Sequence, residues 1–183
     1  MRRGTGTHLV VASLLQNFSF LWNGYRPASW DCPWQEMKQV FIRDMGEEDI
    51  QSVFKIEKMS FSFPWAEGSF VTEVHKPRSL TKVAVVDNEI AGYLCAEYVL
   101  DEGHILDLAV HPDYRRMGIA TALVEQILEE LKERACRFLY LEVRASNYLA
   151  KRLYQGFGFR IVGTRKKYYV SPTEDAVIMM LEV

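Results

Sequence analysis

The chain has 183 residues, enough for one domain with a full hydrophobic core and too few for two large ones. About half of its residues are hydrophobic (49%) and a quarter are charged (25%), as in an ordinary folded globular protein. The formal net charge of -2 disfavours a nucleic-acid-binding protein, because such proteins usually carry a strong basic excess.

The number and spacing of the cysteines indicate whether the protein forms disulfides or binds a metal. Cys32, Cys95 and Cys136 are widely separated along the chain. Their odd number argues against a disulfide framework, and their spacing argues against a zinc site, which needs clustered ligands. We therefore expect free thiols, a cytoplasmic protein and no metal.

The first 36 residues differ in pattern from the rest of the chain. They contain two early arginines, the short apolar run LVVASLL and three tryptophans without a recognisable period. The run only faintly resembles a secretory signal, and it is far shorter than the roughly 20 residues of a membrane helix, so no membrane association is expected. We interpret residues 1–36 as a poorly ordered extension, with Met37 as an alternative start, and residues 37–183 as the folded domain.

Hydrophobic periodicity from Val40 onward predicts a regular series of strands and helices. In chain order these are a strand at 40–45, a helix at 46–60, a short helix around Phe70, strands at 80–87, 89–100 and 103–112, a helix at 118–135, a strand at 137–145, a helix at 147–157 and strands at 159–170 and 175–183. Asn88 marks a hairpin turn, and Asn147 is a candidate N-cap residue. The order predicts one α/β (α+β) domain around a single sheet that is antiparallel in its first half.

The segment YRRMGIA, Tyr114–Ala120, joins a predicted strand to the longest predicted helix. A helix N-terminus presents free N–H groups and a partial positive charge, and a loop without bulk lets an anion approach them. Gly118 and Ala120 would allow that approach, and Arg115 and Arg116 would add charge. The segment indicates a phosphate or pyrophosphate site. The residues are equally compatible with a glycine that merely starts the helix beside solvated arginines.

Three longer segments carry a resemblance to a known family: LDLAVHPDYRRMGIATALVE, LEVRASNYLAKRLYQGFGFR and RKKYYVSPTEDAVIMML. Through them, the chain from Val40 to Val183 resembles the GCN5-related N-acetyltransferases (GNATs), in particular the RimI-type ribosomal-protein-alanine N-acetyltransferases. The resemblance implies a single GNAT-type domain, with a mixed, mostly antiparallel central sheet, helices on both faces and splayed strands at the acetyl-CoA site. It also implies direct acetyl transfer from acetyl-CoA, the donor substrate, in a ternary complex.

The resemblance further implies how acetyl-CoA is held. Backbone groups of Leu108, Ala109 and Val110 would pair with the pantetheine arm, and Asn147 would contact the cofactor from the following helix. The pyrophosphate loop would comprise Arg115, Arg116, Met117, Gly118, Ile119, Ala120 and Thr121. For Asn147, a simple N-cap is equally compatible with the sequence.

Glu142 and Tyr154 are the candidate catalytic residues. Glu142 would share a strand face with Phe138 and Tyr140, so its carboxylate would be partly desolvated, as suits a general base. The structural alternative is an ion pair with Arg144. The phenol of Tyr154 would protonate the departing thiolate, or its ring would simply pack against the sheet. The resemblance favours a catalytic role for both residues.

The acceptor would enter opposite the cofactor. Phe63 and Trp65 would shape a slot for a small first side chain, and Tyr168 and Tyr169 would hydrogen-bond a peptide backbone; packing is the alternative for all four. The resemblance implies that the acceptor is the N-terminal alanine of a small-subunit ribosomal protein, number eighteen. A small-molecule amine or lysine N-acetyltransferase of the same superfamily, and a non-catalytic acyl-CoA-binding protein, are the alternatives. The sequence carries no signal of oligomeric state.

Overall fold

Strands and helices alternate much as the periodicity predicts. The computed structural model describes residues 39–183, and the extension predicted for residues 1–36 lies outside them. The strands are β1 Phe41–Asp44, β2 Ser79–Val86, β3 Glu89–Val99, β4 Glu102–Val110, β5 Phe138–Arg144, β6 Arg160–Val170 and β7 Thr173–Glu182. The helices are α1 Ile50–Ser60, α2 Glu67–His75, α3 Ile119–Glu133 and α4 Tyr148–Gly156. None of these helices is long and apolar enough to cross a membrane.

The strands form one sheet in the order β1-β2-β3-β4-β5-β7-β6. Every neighbouring pair is antiparallel except β4 and β5, which are parallel. The predicted hairpin between β2 and β3 is confirmed, because Asp87 and Asn88 have φ angles of 51° and 65°. Two successive residues with positive φ match the turn that suits a two-residue hairpin.

Helices cover both faces of the sheet. One core cluster contains the buried side of α3 together with Tyr154 of α4, and the other contains the buried sides of α1 and α2. In α3, the four-residue spacing of Leu123, Ile127 and Leu131 puts all three side chains on one face, and each is fully buried. The predicted mixed, mostly antiparallel sheet with helices on both faces is thereby confirmed.

The centre of the sheet is splayed. Strands β4 and β5 pair only where Glu102–Ile105 lies beside Phe138–Leu141. Beyond that point β4 continues to Val110 along β3, while β5 continues to Arg144 along β7. The two parallel strands therefore diverge, which leaves one backbone edge of β4 without a strand partner and confirms the predicted splay.

A β-bulge lies in β4 at the start of this splay. Ala96 of β3 pairs with Ile105 and Cys95 pairs with Asp107, so Leu106 is the inserted residue. An inserted residue reverses the face to which the following side chains point. Ile105 belongs to the core under α3, whereas Cys95 belongs to the core under α1 and α2. The bulge thus turns Asp107 toward α1.

Candidate active site

The diverging strands open into a cleft of about 480 Å³. Its walls are the end of α1 with the loop that follows, the splayed parts of β4 and β5, the start of α4, and the β6–β7 hairpin. The lining side chains that carry chemistry are Glu57, Asp107, Glu142, Arg144, Asn147, Tyr154, Tyr169 and Glu174. Carboxyl groups outnumber the single arginine in this set, so the cleft suits a cationic acceptor.

Glu142 directly follows the last β5 residue that pairs with β4. Its side chain is 12% exposed and each of its oxygens has a side-chain partner. Oε2 lies 2.5 Å from Nε2 of His104, and Oε1 lies 3.1 Å from a guanidinium nitrogen of Arg165. The carboxylate is therefore partly desolvated and held in place from two sides.

The ion pair between Glu142 and Arg144, considered as the structural alternative, is wrong. Arg144 instead lies 3.4 Å from Glu174 and donates to the carbonyl groups of Ser171 and Pro172. The β6–β7 hairpin brings these acceptors to Arg144, while the parallel pairing of His104 with Tyr140 puts the imidazole diagonal to Glu142.

The structure confirms the packing interpretation of Tyr154, and its role as proton donor stays a prediction. Its ring packs edge-on against Phe159, with 5.4 Å between the ring centroids, and only 6% of the residue is exposed. Burial, with a smaller contribution from the negative charge of Asp107, raises the pKa of the Tyr154 phenol above its ordinary value. The hydroxyl therefore keeps its proton throughout the neutral range, as a proton donor in the cleft requires.

Asn147 caps α4, as its sequence position predicts. Its Oδ1 accepts a hydrogen bond from the N–H of Ala150 at 3.0 Å. The residue also lines the cleft. Its contact with the cofactor stays a prediction.

The predicted pyrophosphate loop connects β4 to α3, outside the residues that line the cleft. Arg115 donates from Nε to the carbonyl of Val110 at 3.2 Å, which folds the loop back on the strand. Arg116 and Gly118 have left-handed φ angles of 66° and 80°. No side chain caps the start of α3, so its first N–H groups are left to other acceptors. The binding of an anion by this loop stays a prediction.

Position 118 favours glycine because of its left-handed backbone conformation. Space is not the reason, since a Cβ there would meet no atom within 4 Å. We expect Gly118→Ala to lower the free energy of unfolding by about 1–2 kcal/mol, because a left-handed φ strains residues with a Cβ. Gly68→Ala, in the exposed first turn of α2, is the matched control and should raise it by about 0.5–1 kcal/mol. Urea unfolding of both variants measures the effect, and changes of the same sign would contradict the interpretation.

On the acceptor side, three of the four predicted residues line the cleft. These are Phe63, Trp65 and Tyr169, and Arg144 lies over the Tyr169 ring at 4.1 Å. Tyr168 is not among the lining residues; it is 48% exposed and its ring lies near Arg165. Neighbouring residues of a strand point to opposite sides, so only one of two adjacent tyrosines can face the cleft.

Three residues that the sequence patterns did not single out form a cluster beside the cleft, two of them buried and Asp107 half-buried. Glu57 of α1 is 1% exposed; its Oε1 accepts the N–H of Trp65 at 2.7 Å, and its Oε2 accepts the hydroxyl of Tyr93. The same hydroxyl oxygen lies 3.0 Å from Oδ2 of Asp107. Burial, followed by the negative charge of Glu57, raises the pKa of Asp107 to about 8.

Two sequence signals could have found this cluster. Glu57 is seven residues after Ile50 and four after Val53, on the apolar stripe of α1. Asp107 interrupts the apolar run from Ile105 to Val110. An acid on a face that the pattern buries is unusual enough to question.

Among residues 39–183, no group of three or more His, Cys, Asp or Glu side chains is arranged to hold a metal ion. Cys95 and Cys136 are free thiols, and Cys32 lies outside the described residues. Burial raises the pKa of both described thiols.

A splayed parallel pair at the centre of a mixed sheet, with a glycine-started helix connecting its two strands, is the arrangement that the resemblance predicts, and comparison with known proteins agrees. The profile of the Acetyltransferase (GNAT) family matches residues 50–159. The chain belongs to this family of acetyltransferases. A Bacillus subtilis protein is 38% identical over 143 residues, which span 78% of this chain and 95% of that protein. The ribosomal protein bS18-alanine N-acetyltransferase of Escherichia coli is 35% identical over 144 residues, 78% of this chain and 97% of that one.

Solved structures give the same result. The crystal structure of the Escherichia coli ribosomal-protein-S18-alanine N-acetyltransferase matches with a TM-score of 0.74 at 35% identity, over 79% of this chain and 94% of that one. Ard1 from Thermoplasma volcanium matches with a TM-score of 0.74 at 28% identity, over 79% of this chain and 97% of that one. The predicted family and fold are confirmed, and the chain is an N-acetyltransferase.

Proposed function

We propose that this chain transfers the acetyl group of acetyl-CoA to the N-terminal alanine of ribosomal protein bS18. The observation that carries the proposal is the cleft at the β4–β5 splay, where Glu142 and Tyr154 line one acidic space beside an unpaired strand edge. The Escherichia coli relative is named for this activity, and the chain spans 97% of its length.

Acetyl-CoA would be held by backbone more than by side chains. The unpaired edge of β4 at Leu108, Ala109 and Val110 offers N–H and C=O groups to the pantetheine amides, since β4 pairs with β5 no further than Ile105. The loop at 115–121 would bind the pyrophosphate through the free N–H groups of α3 and its two arginines. This arrangement would present the thioester between Glu142 and Tyr154.

The reaction makes three demands on the cleft. The α-amino nitrogen attacks the thioester carbon and must lose a proton, for which Glu142 is the acceptor. The tetrahedral oxyanion needs N–H donors, which the unpaired β4 edge supplies. The C–S bond then breaks, and the hydroxyl of Tyr154 gives its proton to the sulfur.

The acceptor side fits a free peptide N-terminus. The cleft is acidic where an α-ammonium group would enter, and Phe63 and Trp65 narrow it beside the first side chain. The buried hydroxyl of Ser60 lines the same space and has no hydrogen-bond partner within residues 39–183, so a peptide group would satisfy it. Tyr169 stands on the opposite wall.

The direct test is acetyl transfer from acetyl-CoA to a synthetic peptide that carries the bS18 N-terminus, beginning Ala-Arg. The same peptide with an acetylated N-terminus and free spermidine are the two controls. Transfer to the free N-terminus alone supports the proposal. Transfer to spermidine or to lysine side chains instead would assign the chain to another acceptor class within its family.

A further inference from the structure

The hydrogen-bond pattern of the Glu57, Tyr93 and Asp107 cluster requires a shared proton. The Tyr93 hydroxyl has one hydrogen, yet its oxygen is within hydrogen-bond distance of a carboxyl oxygen on each side. Only one of those contacts can use the tyrosine hydrogen, so the other must be donated by a carboxylic acid. Glu57 accepts a hydrogen bond on each of its oxygens, which favours its ionised form and leaves Asp107 as the protonated partner, in agreement with the raised pKa of Asp107.

Asp107 also occupies a position where it can meet the acceptor. The bulge at Leu106 turns it from the α3 face of the sheet to the α1 face, and it lines the cleft with Glu142. The two carboxyl groups stand on opposite strands of the splay, each within two residues of the last β4–β5 pair, Ile105 with Leu141. Bulges that redirect one side chain are frequent beside active sites.

The surroundings of the two carboxyl groups differ in charge. Glu142 has the His104 imidazole on one oxygen and the Arg165 guanidinium, a fixed cation, on the other. The titratable and charged groups facing Asp107, or lining the same cleft, are Glu57 from α1, Tyr93 and Cys95 from β3, Tyr154 from α4, Glu142 and Arg144 from β5, Tyr169 from β6 and Glu174 from β7. Those that interact electrostatically with Asp107 are acids, phenols and a thiol, and an α-ammonium would supply the missing positive charge.

Two protons must leave an α-ammonium nitrogen before it becomes an amide nitrogen, one before attack on the thioester and one after it. We propose that Asp107 binds the α-ammonium group of the acceptor and takes the first of these protons, with Tyr93 and Glu57 positioning it. The inference rests on the proposed acetyl transfer to an amine. Glu142 then takes the second proton, and Tyr154 protonates the thiolate.

The proposed step is a simple proton transfer. As the acceptor enters, its positive charge favours the ionised form of Asp107, which releases its own proton to solvent. An N–H bond of the ammonium then breaks, an O–H bond forms on Asp107, and the electron pair stays on nitrogen for attack on the carbonyl carbon. Asp107 thereby returns to the protonated form that the Tyr93 hydrogen bond stabilises.

The Asp107→Asn variant tests the role through its pH dependence. At pH 7 we expect kcat/KM for the peptide to fall about 100-fold, the usual scale of acid–base catalysis. At pH 9 the loss should shrink to a few-fold, because an α-amino group with a pKa of about 7.7–8.0 arrives already neutral. Asp87→Asn, the same change in the β2–β3 turn where asparagine fits the positive φ, should leave both values unchanged. An equal loss at both pH values would overturn the proposal.

A carboxyl titration followed by 13C NMR tests the same idea without turnover. The Asp107 signal, assigned by its loss in Asp107→Asn, should titrate near pH 8 and move to lower pH when the acceptor peptide binds. Tyr93→Phe should move the titration of the free protein downward, because the protonated carboxyl loses the hydroxyl oxygen to which it donates.

The titration distinguishes failure of this inference from failure of the proposed function. A signal that titrates near pH 4, or that responds to neither the bS18 peptide nor spermidine, overturns the role of Asp107. A response to spermidine alone supports the role of Asp107 and overturns the choice of acceptor.

Discussion

Replacement of Tyr154 by phenylalanine is expected to lower kcat about 100-fold or more while the Kd for acetyl-CoA stays unchanged. The ring would still pack against Phe159, so the change removes only the proton that the departing thiolate needs. Because the pKa of Tyr154 is raised by burial, the wild-type kcat should not fall between about pH 8 and 10 through loss of this proton. Steady-state kinetics with the bS18 peptide and calorimetric titration with acetyl-CoA measure the two quantities.

The matched control for this change lies on the same helix. Tyr148 is 70% exposed in the first turn of α4, and Tyr148→Phe should leave kcat within two-fold of wild type. Both variants should also unfold at nearly the same temperature as the parent, since the aromatic ring and its packing are retained. If Tyr154→Phe kept full kcat, its role would be packing alone and sulfur would leave as a thiolate stabilised in another way.

The second large effect is expected from Glu142→Gln, which should lower kcat/KM for the peptide about 100-fold. The amide cannot accept the proton that leaves the attacking nitrogen, although it keeps the shape of the side chain. Stability should change by less than about 1 kcal/mol, because the partners His104 and Arg165 are 36% and 53% exposed and can turn to water. Urea unfolding beside the kinetic assay separates the two effects.

Glu182→Gln is the control for Glu142→Gln, since Glu182 pairs with Arg160 on the exposed end of the sheet. It should change neither kcat/KM nor stability measurably. The variant Glu142→Asp, which keeps a carboxylate, should recover part of the lost activity. A stability loss that accounts for all of the kinetic effect, or no recovery in the aspartate variant, would make Glu142 a positioning residue for His104 and Arg165.

Local sequence patterns were sufficient to predict the helices, the strands and the turns between them. The four-residue spacing in α3, the asparagine caps and turns at Asn147 and Asn88, and the glycine before α3 each depend on residues a few positions apart. These signals reflect short-range backbone and side-chain preferences, which act before distant parts of the chain meet. The same local segments carried the resemblance to the GNAT family, so the fold class followed from them.

The partners of each site residue depended instead on contacts between distant segments. Glu142 meets His104 across 38 residues, and Glu57 meets Tyr93 across 36. No spacing rule relates such positions, because strand order and register decide which side chains face each other. The ion pair with Arg144 was wrong for this reason, since a hairpin from elsewhere in the chain supplied that arginine with other acceptors.

By itself, the sequence determined which segments are helices and strands, which faces are apolar and which motif starts α3, because these follow from local periodicity. Only the tertiary structure decided that Tyr169 and not Tyr168 lines the cleft, and that Asp107 lies in one hydrogen-bonded cluster with Tyr93 and the buried Glu57. One inserted residue, Leu106, accounts for the second outcome, since it reverses the direction of the side chain that follows. The physical reason is that facing direction and desolvation are properties of packed neighbours, and those neighbours come from strands and helices far apart in the chain.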